Sequence, residues 1–205
     1  MARIFCIGRN YAEHVRELSN VVPQKPVVFM KPMSCLVKPG EPIRFPGHGS
    51  DFQHEVEVVI RIGKPGRVER KEDALSWIDA VTVGLDLTLR DVQDELKKRG
   101  LPWEKAKAFD QSAPIGEFVS CHGGIDLKGI AFSCRVNGVE RQCGSTGDMI
   151  FSFETLLVEL SAIWALQRGD LVYTGTPSGV GPLAVGDTVE IHGEGIGTFS
   201  WKIVA

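Results

Sequence analysis

The residues best suited to chemistry lie in His54-Glu55-Val56-Glu57-Val58-Val59-Ile60-Arg61-Ile62. Side chains alternate faces along a strand, so Val56, Val58, Ile60 and Ile62 point one way. Glu55 and Glu57 then share the opposite face, with Cα atoms ~7 Å apart at the usual strand rise. Two carboxylates that close repel, and the pair is stable only with something positive between them. A hard divalent cation such as Mg²⁺ suits them, because it prefers oxygen ligands and keeps positions open for water or substrate. A solvent-facing strand with acidic residues for solubility would look the same, and these residues alone leave both readings open.

A second stretch, Ala80–Leu89, tips the balance toward the metal. Val81, Val83, Leu85, Leu87 and Leu89 form an apolar face, which leaves Asp86 among Ala80, Thr82, Gly84 and Thr88. Such small neighbours leave room for a ligand. In the helix that follows, Arg90 and Gln93 share a face just beyond the strand end. Near the start, Gly8-Arg9-Asn10-Tyr11 leads into a segment where His14 and Glu17 have the same i, i+3 spacing. A carboxylate bonded to one imidazole nitrogen leaves the other free to remove a proton from water, although an ordinary surface helix would carry the same pair. Lys107, one lysine among many, reads by itself as a solvated cation. Thr174-Gly175-Thr176-Pro177-Ser178-Gly179-Val180-Gly181 is a hydroxyl-bearing loop able to bring backbone N–H groups close to an anion. It lacks the Lys-Ser/Thr ending of a nucleotide phosphate loop. His48, His54, His122 and His192 have no ligand-like spacing and receive no role.

Many short strands must position these groups. Glycine (23) and proline (11) punctuate β-branched runs at Arg3–Ile7, Val27–Met30, Glu55–Ile62, Ala80–Leu89, Ile130–Val136, Leu171–Thr174, Thr188–Ile191 and Thr198–Val204. Asn137-Gly138 between two such runs signals a tight hairpin. Helices are expected only at Tyr11–Leu18, Arg90–Arg99 and Ser152–Leu166, the last with Ser152 as N-cap and Gly169 as stop. Strands and crossover helices do not alternate, which argues against a doubly wound parallel sheet. The expectation is one α+β domain over residues 1–205, dominated by strands.

Composition bounds the function class. The 205 residues carry 23 Lys plus Arg against 26 Asp plus Glu, a net charge of −3, which argues against a nucleic-acid footprint. No apolar run approaches the ~20 residues of a membrane span. Met1–Ile7 holds one positive charge and too few apolar residues for a secretory leader, so a soluble, cytoplasmic protein is expected. Cys6, Cys35, Cys121, Cys134 and Cys143 form no C-x-x-C pair and read as reduced thiols, mostly small buried hydrophobes.

Taken in order, several segments resemble the fumarylacetoacetate hydrolase superfamily, most closely its small acylpyruvate hydrolases and oxaloacetate decarboxylases. The carriers are Gly8-Arg9-Asn10-Tyr11 with His14, Phe29-Met30-Lys31-Pro32, His54-Glu55-Val56-Glu57, and Leu85-Asp86-Leu87-Thr88 with Arg90-Asp91-Val92-Gln93. Leu101-Pro102-Trp103, Lys107-Ala108-Phe109-Asp110, Gly147-Asp148-Met149-Ile150 and the Thr174–Gly181 loop complete the series. The resemblance implies a mixed β-sandwich roll, a homodimer, and Mg²⁺ or Mn²⁺ held by Glu55, Glu57 and Asp86. It further implies His14 and Glu17 as a water-activating dyad with Lys107 beside the substrate. Arg9, Asn10, Lys31, Arg90, Gln93 and Thr176 are then assigned to substrate binding.

The activity so implied is metal-dependent C–C cleavage of 3-acylpyruvates such as acetylpyruvate or fumarylpyruvate. A metal would stabilise the pyruvate enolate as the bond breaks. The same enolate forms when oxaloacetate loses CO₂, so one site could serve both. Isomerase or decarboxylase chemistry of the 2-hydroxyhepta-2,4-diene-1,7-dioate type and oxaloacetate tautomerisation would use the same triad. From another class, a non-catalytic module binding 2-oxo acids would require a damaged site. The partner expected is a small 2-oxo acid, with neither nucleic acid nor membrane.

Overall fold

In the computed structural model, which describes residues 2–123 and 125–205, each β-branched run supplies a strand, and the described residues form sixteen strands and four α-helices in all. The chain opens with β1 (Ile4–Gly8), the six-residue helix α1 (Ala12–Glu17) and β2 (Val27–Lys31). Short pieces β3 (Leu36–Val37), β4 (Ile43–Arg44) and β5 (Phe52–His54) precede the long β6 (Val56–Ile62). Next come β7 (Ile78–Leu85) and β8 (Thr88–Leu89), which runs directly into α2 (Arg90–Lys98). A single helical turn, α3 (Glu104–Lys107), is followed by β9 (Ala113–Pro114) and β10 (Val119–Ser120). The hairpin β11 (Ala131–Val136) and β12 (Val139–Ser145) leads to α4 (Phe153–Ile163) and β13 (Leu171–Tyr173). The two-residue β14 (Gly181–Pro182) and the antiparallel pair β15 (Thr188–Gly193) and β16 (Gly197–Val204) close the chain.

A six-stranded sheet in the order β10-β7-β6-β13-β1-β2 forms the centre. Its pairings are antiparallel except for β1 with β13. A five-stranded sheet, β12-β11-β15-β16-β4, packs across β6 and β7. Phe132, Val189, Ile191, Trp201 and Ile203 from that sheet, with Phe153, Leu156, Leu157 and Leu160 from α4, bury Val56, Val58, Ile60 and Val83 in one core. The opposite face of the central sheet is also closed, by Val59, Ile4, Cys6 and Tyr173 packing with Cys35, Ala113 and Ile115. This is the strand-dominated α+β architecture expected. No helix among the described residues is long and apolar enough to cross a membrane.

The Asn137-Gly138 turn forms as expected, with both residues at positive φ (52° and 79°) as a two-residue hairpin of primed type requires. Three expectations are corrected. Glu55–Ile62 is not one strand with a single apolar face: β6 starts at Val56, and being central it buries both faces. Ala80–Leu89 is likewise broken, because β7 ends at Leu85 and the chain changes partners. Beyond that point Asp86 N–H donates to the Glu55 carbonyl and Leu87 N–H to that of Ser112. Finally, α4 stops at Ile163, where Trp164 turns extended and packs its ring 5.3 Å from Phe5.

Candidate active site

Breaks in the strands concentrate the acidic residues. Glu55 lies in the gap between β5 and β6, Glu57 is the second residue of β6, and Asp86 follows β7. The β6–β7 pairing joins Val56 to Leu85, and the Asp86–Glu55 backbone bond extends it by one step. Each of the three residues offers a carboxylate oxygen within 4.8 Å of the others, and all three are buried.

Charge neutralises this cluster unevenly. Lys107 Nζ donates to Glu55 Oε2 at 2.6 Å and to Asp86 Oδ2 at 2.7 Å, and Arg90 donates to Glu55 Oε1. Burial alone would raise the Glu55 carboxyl, but Lys107 and Arg90 outweigh it and hold the group well below the usual range. Burial likewise opposes the Lys107 ammonium, and Asp86 and Glu55 more than compensate, so its pKa is raised. Among the described residues Glu57 has only the Gly175 N–H at 2.7 Å, and burial, reinforced by Asp86, pushes its carboxyl well up. Asp86 Oδ1 faces Lys31 Nζ at 2.7 Å without hydrogen-bond alignment.

These observations test the fit of a metal. A carboxyl driven toward its protonated form marks the Glu57 corner of the cluster as short of positive charge, while Lys31, Lys107 and Arg90 serve Asp86 and Glu55. Because the donors are all carboxylate oxygens, the residues fit a hard divalent cation.

The cluster opens into a narrow cleft. His14 lines it, with Nδ1 3.1 Å from Glu17 Oε2. A carboxylate can only accept, so Nδ1 donates to it, and in the neutral ring Nε2 keeps its lone pair. The other Glu17 oxygen accepts the Gly179 N–H at 2.9 Å. The Thr174–Gly181 loop therefore does bring N–H groups to anions, and these two anions are the protein's own: Glu57 at Gly175 and Glu17 at Gly179.

Arg9, Arg90, Gln93, Lys107 and Thr176 line the same cleft as His14, Glu55 and Glu57. Arg90 bridges Glu55, Gln93 and Gln53. Two residues assigned to substrate binding instead support the site from behind. Asn10 is wholly buried, its amide spent on the Phe151 and Thr174 carbonyls and its oxygen on the Phe151 N–H. Lys31 is also buried, donating to the carbonyls of Leu87 and Ser112 beside Asp86. Lys107 overturns the reading of a solvated cation. The turn of α3, built from Glu104-Lys105-Ala106, carries it inward to full burial.

Gln142 and Lys97 were not legible. Gln142 Oε1 accepts from His54 Nδ1 at 2.9 Å and from Val56 N–H at 3.1 Å, while Nε2 donates to Thr176 Oγ1 at 2.8 Å. It thus ties the loop to the start of β6, and its segment, Arg141-Gln142-Cys143, has no motif to announce it. Lys97 lines the cleft from α2, where its place between Leu96 and Lys98 looks like an ordinary charged helix end.

Residues 3–204 match the sequence family described as fumarylacetoacetate (FAA) hydrolase C-terminal. The chain belongs to the fumarylacetoacetate hydrolase family. It is 41% identical over 196 residues to an oxaloacetate tautomerase of Escherichia coli (strain K12), covering 95% of this chain and 90% of that protein. The crystal structure of fumarylpyruvate hydrolase from Pseudomonas aeruginosa, in complex with Mn²⁺ and pyruvate, superposes with a TM-score of 0.95 at 35% identity, covering 100% of this chain and 90% of that one. A 2-hydroxyhepta-2,4-diene-1,7-dioate isomerase from Mycobacterium marinum gives 0.86 at 35% identity, covering 99% and 74%. Tautomerase, hydrolase and isomerase thus stand among this enzyme family's relatives of the chain.

Proposed function

We propose that this chain is a divalent-metal-dependent enzyme that interconverts the keto and enol forms of a small 2-oxo dicarboxylic acid, with oxaloacetate as substrate. The observation that carries the reading is the single cleft lined by Glu55, Glu57, Lys107 and His14, with Asp86 bonded to Lys107 and Glu17 bonded to His14 behind them. Mg²⁺ or Mn²⁺ held by Glu55, Glu57 and Asp86 would supply Lewis-acid charge beside the substrate oxygens. His14 Nε2 takes the proton from carbon 3, the C–H electron pair becomes the C2–C3 double bond, and the carbonyl π pair moves onto the 2-oxo oxygen. Return of that proton to the oxygen gives the enol, so the step balances within the substrate. Glu17 holds the imidazole in the tautomer that this transfer needs. Lys107 stabilises the negative charge that develops. The similarity to an oxaloacetate tautomerase supports this reading.

The same dyad favours a second reading, hydrolysis of 3-acylpyruvates. A base that removes a proton from carbon can equally deprotonate the water attacking a distal carbonyl, and the P. aeruginosa relative is a fumarylpyruvate hydrolase. A Mg²⁺-supplemented assay separates the two. Ultraviolet absorbance follows the enol–keto conversion of oxaloacetate, and pyruvate release follows cleavage of acetylpyruvate and fumarylpyruvate. Fast conversion of oxaloacetate with little pyruvate release supports tautomerisation, and the reverse supports hydrolysis. Full activity in a chelator-stripped preparation would refute both.

A further inference from the structure

The cations of the cleft are not equally engaged. Arg90 and Lys107 are both bonded to Glu55, and Lys107 to Asp86 as well, so their charge is shared with the triad. Lys97, also lining the cleft, has one carboxylate within 4.0 Å among the described residues, Asp94 Oδ1 at 3.6 Å, too long for a normal hydrogen bond. Its Nζ stands 5.7 Å from the centroid of the Trp103 ring, which also lines the cleft. The side chain is only 25% exposed. Arg9 lines the same cleft and makes no ion pair among the described residues. Two under-neutralised cations therefore face one small space that also holds Arg90 and Lys107. Burial and the nearby Arg90 depress the Lys97 ammonium, and Arg9 and Lys107 add to the repulsion against only partial relief from Asp94. Such a pair is an electrostatic vacancy for an anion.

We propose that Lys97, with Arg9 beside it, forms a subsite for the distal carboxylate of the substrate and so selects 2-oxo dicarboxylic acids over monocarboxylic ones. This deepens the function proposed above and rests on it for the placing of the 2-oxo acid end at the triad. Trp103 fixes the lysine from one side, leaving its ammonium to donate into the cleft. Lys97 is then a specificity residue. Discrimination arises because a substrate without the second carboxylate leaves these cations unpaired.

The test compares binding of two unreactive 2-hydroxy acids that differ at the distal end, malate and lactate, by calorimetry on the Mg²⁺-loaded protein. Malate should bind the unaltered protein more tightly than lactate. Lys97→Gln should weaken malate about ten- to a hundredfold, the range for losing one charge-assisted hydrogen bond, and leave lactate unchanged. Lys97→Arg should restore most of the difference. A parallel KM measurement with oxaloacetate and its 4-ethyl ester should show the same selectivity, with kcat little altered. Equal weakening of malate and lactate, or no loss of malate, would overturn the subsite. Malate preference abolished by Lys97→Gln in a protein that does not turn over oxaloacetate would uphold the subsite and refute the proposed activity instead.

Discussion

Glu17 divides its carboxylate between His14 and the loop: one oxygen lies 3.1 Å from His14 Nδ1, the other accepts the Gly179 N–H at 2.9 Å. The base and the loop carrying Thr176 are therefore set by one side chain on a helix of six residues, too short to be stable alone. His14→Ala should lower kcat for proton transfer or hydrolysis by about 10²- to 10⁴-fold, the usual contribution of a positioned base. Oxaloacetate decarboxylation, which needs no base at this position, should fall much less. Glu17→Gln, which keeps an acceptor but loses the charge, should show the same asymmetry more weakly. Steady-state kinetics of both reactions in both variants, with metal content checked, decides; equal losses in His14→Ala would mean that the imidazole is not the base.

The loop's shape depends on Gly179. Its φ is +97°, and a Cβ there would lie 2.0 Å from the Arg141 carbonyl oxygen, a backbone atom that cannot step aside. Gly186 has a similar φ of +98° but nothing within 4 Å. Gly186→Ala should cost about 1–2 kcal/mol, the penalty of left-handed backbone alone. Gly179→Ala should cost more and also reduce kcat, because the loop must leave Glu17. Urea unfolding of both variants measures the difference, and equal costs would show that the loop moves freely around Arg141.

The two faces of this site differ in how plainly the sequence displays them. Glu55, Glu57 and Asp86 stand out because alternation isolates them against Val56, Val58 and Leu85, and the structure brings them together although neither Glu55 nor Asp86 lies within a regular strand. The hairpin at Asn137-Gly138 is a local signal and was equally plain. Lys107 and Gln142 are not, since their roles depend on partners far away in the chain: Glu55 at a separation of 52 residues and Val56 at 86. Asn10 misleads for a related reason. A polar residue between Arg9 and Tyr11 looks available for a ligand, whereas the backbone at Phe151, just before α4, and at Thr174, just after β13, needs its amide to satisfy buried polar groups.

The thiols offer a check on the packing. Burial pushes Cys134 up to about 12 and Cys121 up to about 11, Asp79 adding to the latter, while Cys143 is exposed. Thiolate is the reactive form, so at pH 8 both of the raised groups should be almost wholly protonated and slow. Iodoacetamide on the native protein should therefore label Cys143 first. Cys6, Cys35 and Cys134, all buried, should be labelled only after unfolding. Peptide mapping by mass spectrometry reads the order, and rapid labelling of Cys134 in the native state would mean that the core around β11 opens readily.

Glu57 links proton, metal and stability. Burial first, then repulsion from Asp86 and Glu55, raises its carboxyl in the metal-free protein above its unfolded value. A carboxylate with a raised folded pKa contributes stability below its unfolded pKa, and that contribution is lost as pH rises through the folded one. Metal-free protein should thus lose stability with rising pH through this group. Glu57→Gln cannot ionise and can still accept the Gly175 N–H, so the variant should be less sensitive to pH over that window and at least as stable without metal near neutrality. Adding Mg²⁺ should reverse the ranking. The ion favours ionised Glu57 and should release a proton on binding, with affinity falling as pH falls. At a hundredfold excess over Kd, it should stabilise the unaltered protein by about 2.7 kcal/mol, and the variant far less. Urea titrations of both proteins at several pH values, with chelator or with Mg²⁺, carry the comparison. Undiminished stabilisation of Glu57→Gln by Mg²⁺ would remove Glu57 from the metal site, and an unchanged pH slope in the metal-free variant would show that its proton is not the one that matters.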